Sequence, residues 1–246
     1  MKAIKGISIN GEIHTANNLD MVLLKAESAA ENPEPKLLEE AIPGRHGKLD
    51  YSAYYDGVTF YSNRKVSYRL FCSGTPAEVN ETVTRLNRYH GRIITIVEDD
   101  DIDYSISGRA TVSVEQLAPY GNYAYIVLSL DAEPFRYKRI PTIIRRTFSG
   151  TELIAVDNNT ASVPLTLRIS SMTNAGSNAA VRISTIGSEL SERVAVIGED
   201  IRITNFLLKG GAQTIKLETV AISGASWHVD NSITAVVAVS YTEGKF

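Results

Sequence analysis

Apolar and polar residues alternate along most of this chain at the period of two that a half-buried strand requires. Residues 4 to 13 follow it through Ile4, Ile7, Ile9 and Ile13, which predicts one short strand, and Asn17-Asn18 reads as a turn after it. Met21 to Leu24 is a second apolar stretch, and the prolines at 33 and 35 mark a polar loop. Lys36 to Ala41 has helical propensity, but Pro35 and Pro43 leave too little length for a helix, so an extended segment is predicted. Val58 to Tyr61 and Arg64 to Cys72 are predicted to pair as a hairpin around Ser62-Asn63, with Val66, Tyr68, Leu70 and Cys72 on one face.

The pattern switches to helical spacing once. Thr75 as N-cap, Pro76 at the first helical position and Glu78 three residues after the cap form a capping-box sequence. Val79, Val83 and Leu86 then recur at helical spacing, and Gly91 ends the run. His90, near that end, reads as a partner of the helix dipole. Ile93 to Val97, Tyr104 to Arg109, Thr111 to Leu117 and Tyr123 to Leu130 are predicted strands, the last two joined by Ala118-Pro119-Tyr120-Gly121.

Beyond Arg136 to Pro141 the texture changes to short strands, small residues and polar turns. Predicted strands are Leu153–Val156, Leu165–Ser170, Ala180–Ser184, Arg193–Ile197, Asp200–Asn205, Thr214–Val220 and Ser232–Ser240, at the spacing of a two-sheet sandwich. The expected organisation is mainly β: residues 1–137 as a sandwich- or barrel-like domain with one α-helix, and residues 138–246 as a β-sandwich domain. A length of 246 residues suits two such domains.

Composition narrows the function classes. Twenty-five basic against 28 acidic residues, a net charge of −3, argue against broad binding to a phosphate backbone. No apolar run approaches a membrane span, and polar residues after Lys5 break any export-signal core. The lone Cys72 excludes an intrachain disulfide, so assembly in cytosol is compatible. The basic stretch Lys138, Arg139, Arg145 and Arg146 is a linker strand or a docking surface.

Candidate chemistry is sparse. His14, His46, His90 and His228 stand singly, without a ligand at metal spacing, and no Gly-x-Ser-x-Gly elbow, phosphate loop or dinucleotide fingerprint occurs. A Ser/His/Asp set assembled from distant residues stays open; no cofactor, metal or enzyme is expected. Two segments stand out. Pro43, Gly44, Arg45, Gly47 and Asp50 combine a preset φ, two glycines and opposite charges, a corner able to hold an Arg45–Asp50 ion pair or to serve as an ordinary loop. Glu98, Asp99, Asp100, Asp101 and Asp103 crowd five carboxylates into six positions. Their contiguity and the lack of a glycine before Gly108 disfavour a calcium loop, and a solvated turn is the simpler reading. A glycosidase carboxylate pair would need a facing element.

Several of these features occur together, in order, in one known family. Pro33-Glu34-Pro35-Lys36, Gly44-Arg45-x-Gly47-x-Leu49-Asp50, Tyr61-Ser62-Asn63-Arg64, the capped helix, Glu98-Asp99-Asp100, Gly108-Arg109 and Glu133-Pro134-Phe135 resemble the distal tail (Dit) proteins of long-tailed, siphovirus-like bacteriophages and prophages. The likeness spans roughly residues 20 to 137. Asn205-Phe206-Leu207-Leu208-Lys209-Gly210-Gly211 is similar to a segment of the family's galectin-like C-terminal sandwich. The resemblance implies a structural virion protein of the tail tip or baseplate, assembled in the bacterial cytoplasm. It implies a homo-hexamer around a channel through which DNA passes. Its implied partners are a tail tube protein, a tail-tip hub protein, and receptor-binding or other baseplate proteins, with no membrane and no cofactor. The acidic segment is then expected to face the lumen or a subunit interface. A carbohydrate-binding adhesion module is the competing class, with Trp227 as the single tryptophan.

Overall fold

A computed structural model describes residues 5–27, 33–41, 46, 48–50, 59–158, 162–176, 178–186, 190–203, 207–223 and 226–245. The chain is mostly strand and divides into two compact units, Met1–Arg139 and Ile140–Lys245.

The first unit runs β1 (Ile7–Ile9), β2 (Ile13–His14), α1 (Thr15–Leu19), β3 (Val22–Glu27), β4 (Glu39–Ala41), β5 (Lys48–Asp50), β6 (Arg64–Ser73), α2 (Pro76–Asn87), β7 (Ile93–Glu98), β8 (Tyr104–Leu117), β9 (Tyr123–Ala132) and β10 (Arg136–Lys138). Its antiparallel sheet has the order β2-β1-β7-β8-β9-β6-β3, with β10 beside β8. The sheet curls: Leu23 N–H in edge strand β3 donates to the Lys5 carbonyl just before β1 (3.3 Å), which gives the unit its barrel-like form. Alternation puts Val66, Tyr68, Leu70 and Cys72 of β6 inside, with Ile126, Leu128 and Leu130 of β9 and Ile94 and Ile96 of β7. Each large apolar side chain buried this way contributes about 1.5–3 kcal/mol. Burial pushes the Cys72 thiol pKa up, in keeping with an inert core position.

Helix α2 begins as its sequence dictates. Thr75 Oγ1 accepts from Glu78 N–H (3.3 Å), and the Glu78 carboxylate accepts from Thr75 N–H (2.8 Å). The Thr75 N–H and the Thr75 hydroxyl, both donating to the carboxylate, hold the Glu78 pKa below its ordinary value. Val79 and Leu86 are buried against the sheet.

Several local expectations are corrected. Residues 4 to 13 do not make one strand: Asn10 (φ 53°) and Gly11 (φ 68°) turn the chain between β1 and β2. Asn17 and Asn18 lie within α1, a second helix, whose N-cap is the His14 ring. Val58 lies outside the described residues, and Tyr61 bridges Pro35 rather than closing a hairpin; β6 pairs instead with β3 and β9. Residues 104–109 and 111–117 form the single strand β8, because Ala110 keeps its pairing with β9 and only a bulge near Val114 interrupts the ladder. The His90 ring meets strand β8, its Nδ1 accepting from Val112 N–H (3.1 Å), while its backbone N–H donates to the Asn87 carbonyl at the helix end (3.1 Å).

The second unit contains β11 (Thr142–Ser149), β12 (Thr151–Asn158), β13 (Thr166–Thr173), β14 (Ala179–Thr185), β15 (Ser191–Val194), β16 (Asp200–Arg202), β17 (Gly211–Ser223), β18 (Ser226–Val229), β19 (Thr234–Tyr241) and β20 (Gly244–Lys245). One sheet has the order β11-β19-β13-β16; the other has β12-β17-β14-β15, with β18 also on β17. Leu167 and Ile169, Val237 and Val239, Ile215 and Leu217, and Val181 and Ile183 are the buried alternate positions of the two sheets. Tyr241 Oη on β19 donates to the Asp157 carbonyl on β12 (3.1 Å), tying one sheet to the other. Strand β11 holds Arg145 and Arg146 of the basic stretch read as a linker strand or docking surface, and is an edge strand, largely exposed; β18, with only four residues, had no prediction from the sequence pattern.

Candidate functional site

Of the corner residues, Pro43, Gly44, Arg45 and Gly47 lie outside the described residues. Asp50 closes β5, where it is paired in register with Glu39 of β4. The acidic segment is described in full. It is not a merely solvated turn, because the fold brings cations to most of it.

Glu98 is the last residue of β7, where the strand's inward alternation delivers its side chain to the end of the core. Its Oε1 accepts from Tyr68 Oη of β6 (2.8 Å) and from Arg136 Nη2 of β10 (2.6 Å). Arg136 Nη1 reaches Asp101 Oδ2 (3.4 Å). Arg136 and Glu98 are both nearly buried, at 9% and 13% side-chain exposure, so this cluster sits in a low dielectric and its geometry matters. For Arg136, burial works against the charge, but the hydrogen bond and charge of Glu98 outweigh it and the pKa lies above the ordinary value. Burial first, and the Glu98 charge second, push the Tyr68 phenol far up.

Arg64 opens β6 in the same cluster and is also buried. Its Nε and Nη2 find no acceptor among the described residues. Desolvation, followed by repulsion from Arg136, lowers its pKa. A buried guanidinium with two unsatisfied donors opposes folding even where the Glu98 charge offsets part of the cost. Arg64→Met, which keeps the apolar stem without the charge, is therefore expected to raise stability by about 1 kcal/mol or more, read as a higher denaturation midpoint. A clear loss of stability would show that the Glu98 and Tyr68 charges hold Arg64 more strongly than burial penalises it.

Asp99 acts as a staple. Its Oδ2 accepts from Gly6 N–H (2.7 Å) and its Oδ1 from His14 Nε2 (2.9 Å), while His14 Nδ1 accepts from Asn17 N–H (3.2 Å) to cap α1. These bonds place the ring proton on Nε2. A Cβ on Gly6 would come within 2.6 Å of the His14 ring, so only glycine allows this approach. Asp100 pairs with Lys5 at 2.7 Å in solvent, a contact of small weight. Asp103 is exposed.

The arrangement is one of joints rather than reaction chemistry. Glu98 and Asp101 share one guanidinium instead of flanking an open cleft, and among the described residues no three acidic, histidine or cysteine side chains are placed to hold a metal. A hollow of about 610 Å³ beside Asp99 is lined by Ser8, Asn10, Thr95 and Arg139. Three of its polar groups are already engaged: Asn10 Oδ1 with Thr95 N–H, Arg139 with the Ile102 carbonyl, and Asp99 as above. Sequence reading missed the partners because they are far away, with Arg136 38 and His14 85 positions from the carboxylates they meet.

The molecule is thus defined as a two-unit, mainly-β protein, with a curled antiparallel sheet and two capped helices in the first unit and a β-sandwich in the second. This is the fold of the Dit protein of phage SPP1, whose crystal structure is described as a paradigm of the hub adsorption apparatus in phages infecting Gram-positive bacteria. The match covers 99% of this chain and 100% of that one, with a TM-score of 0.56 and 12% identity. No family model and no curated protein matches the chain. The resemblance to Dit proteins read from the sequence therefore holds for the fold over the whole chain.

Proposed function

We propose that this protein is a distal tail protein: a non-enzymatic hub subunit at the tail tip of a long-tailed phage or prophage. The observation that carries this reading is the correspondence of fold along both units with the SPP1 hub protein. Six copies form a ring through one repeated heterologous interface that closes on itself. Residues 1–137 surround the channel for DNA, between the tail tube protein and the tail-tip hub protein. Residues 138–246, as a galectin-like sandwich, project outward toward receptor-binding or other baseplate proteins. The protein then resides in the virion after assembly in the host cytoplasm.

The two segments singled out in the sequence have places in this scheme. Pro43, Gly44, Arg45, Gly47 and Asp50 serve as a structural corner or subunit contact. Glu98 to Asp103 lies toward the lumen or an interface, where negative charge keeps DNA from adhering. Its Glu98 and Asp101 have a second task, anchoring Arg136, and Asp100 pairs with Lys5, so the exposed Asp103 presents charge most directly.

Native mass spectrometry with negative-stain microscopy tests the proposal, on the chain alone and mixed with its tail tube and tail-tip proteins. The expected species is a six-copy ring. A chain that stays monomeric at all concentrations, alone and with both components, rejects the hub role.

A further inference from the structure

The outward face of the second unit's β12-β17-β14-β15 sheet carries a row of charged side chains. Register aligns Arg193 of β15 with Arg182 of β14, Arg182 with Glu218 of β17, and Glu218 with Thr151 of β12. Two arginines directly opposite each other disfavour a sheet unless something negative lies between them. One carboxylate is present, but it is saturated: Glu218 is bound by Arg182 Nε (2.7 Å) and Lys216 Nζ (2.6 Å), and its side chain is only 5% exposed. Burial raises the Glu218 pKa, but those bonds outweigh it and hold it below the ordinary value, so the group stays charged.

Arg193 is left over. It is exposed, no hydrogen bond or ion pair engages it among the described residues, and its guanidinium stands 5.1 Å from the centre of the Trp227 ring on β18. The aromatic ring fixes the cation's position without consuming its donors. Val220 and Ala180 are outward by strand alternation yet 0% and 1% exposed, as expected beneath a Trp227–Arg193 cover. The next row adds the hydroxyls of Ser184 and Ser191 beside Lys216.

We infer that this face binds a saccharide bearing a carboxylate or phosphate, with the anion held between Arg193 and Arg182 and the sugar ring against the Trp227 edge and neighbouring hydroxyls. A protein partner fits less well. Protein interfaces concentrate apolar residues at the centre and charge at the rim. Here the charges are central, while Leu153, Ile222 and Val229 lie at the ends. The site is independent of ring formation by the first unit, so its test and that of the hub reading fail separately.

Trp227 is the only tryptophan, so its fluorescence reports directly on this face. The full chain is titrated with glucose 1-phosphate, a galacturonate trimer, uncharged maltotriose, inorganic phosphate and a glutamate pentapeptide, with calorimetry on the variants. Saturable changes with the two charged sugars, and weaker ones with inorganic phosphate, are expected, with none from maltotriose. Arg193→Ala is expected to weaken the charged sugars by about tenfold or more with at most a small fall in melting temperature from uncovering Val220 and Ala180, and Arg193→Lys to restore part of the affinity. Equal affinity for maltotriose or inorganic phosphate, preference for the peptide, indifference to Arg193→Ala, or no response to either charged sugar would each overturn the assignment.

Discussion

Replacing Glu98 with alanine is expected to destabilise the protein by about 3–5 kcal/mol, the usual cost of stripping one partner from a buried ion cluster. The side chain is the shared acceptor of Tyr68 and Arg136, and its charge also offsets Arg64. Without it two guanidinium groups remain buried near each other, and Tyr68 Oη loses this acceptor. The melting temperature should fall by something on the order of 10 °C, read by circular dichroism. Glu98→Gln, which keeps a carbonyl for Tyr68 but no charge, should fall between the two. Adding Arg64→Met to Glu98→Ala should recover part of the loss, since the variant then buries one fewer unpaired cation. A loss below about 1 kcal/mol would mean that the arginines swing into solvent and the cluster carries little of the fold.

Gly108→Ala is expected to be comparably damaging, by overcrowding rather than by charge. Gly108 lies in the middle of β8, paired with Ala132 of β9 on one side and Ile94 of β7 on the other. A Cβ there would stand 2.5 Å from the Asp131 carbonyl oxygen and 2.6 Å from the Ala132 Cα. Both are backbone atoms, so relief requires β8 and β9 to part along a ladder that the core holds closed. A cost of about 3 kcal/mol or misfolding on expression is anticipated. Gly176→Ala is the control: its Cβ meets nothing within 4 Å, and a change within about 0.5 kcal/mol is expected. If Gly108→Ala melts with the wild type, the sheet is more compliant than its hydrogen bonding suggests.

Much of the fold was legible where the signal is local. The Thr75–Glu78 box is satisfied within four residues, and the alternation of β6 needs only a sheet with one buried face. The Ala118–Gly121 turn likewise formed, with Gly121 at φ 69° and its N–H on the Ala118 carbonyl at 2.8 Å. The errors arose where a residue's role is set by a distant partner. Tyr61 looked like half of a hairpin with β6, but Pro35 offered the bridge and β9 offered β6 a longer ladder. His14 had no motif at all, and became a helix cap because Asp99 orients its ring.

The acidic segment divides the two kinds of information most clearly. Its position after an apolar strand, its lack of glycine and its poor fit to a calcium loop follow from residue order, because turn chemistry and ligand spacing are short-range properties. So do the mainly-β class, the single capped helix of full length and the change of texture near residue 140. That Glu98 and Asp101 are locked to Arg136 while Asp99 staples the first strand, and that Arg193 stands over the Trp227 ring, was decided only by the tertiary structure. Electrostatic partners are chosen by proximity in space and by the dielectric that burial creates, and neither exists until the strands have paired.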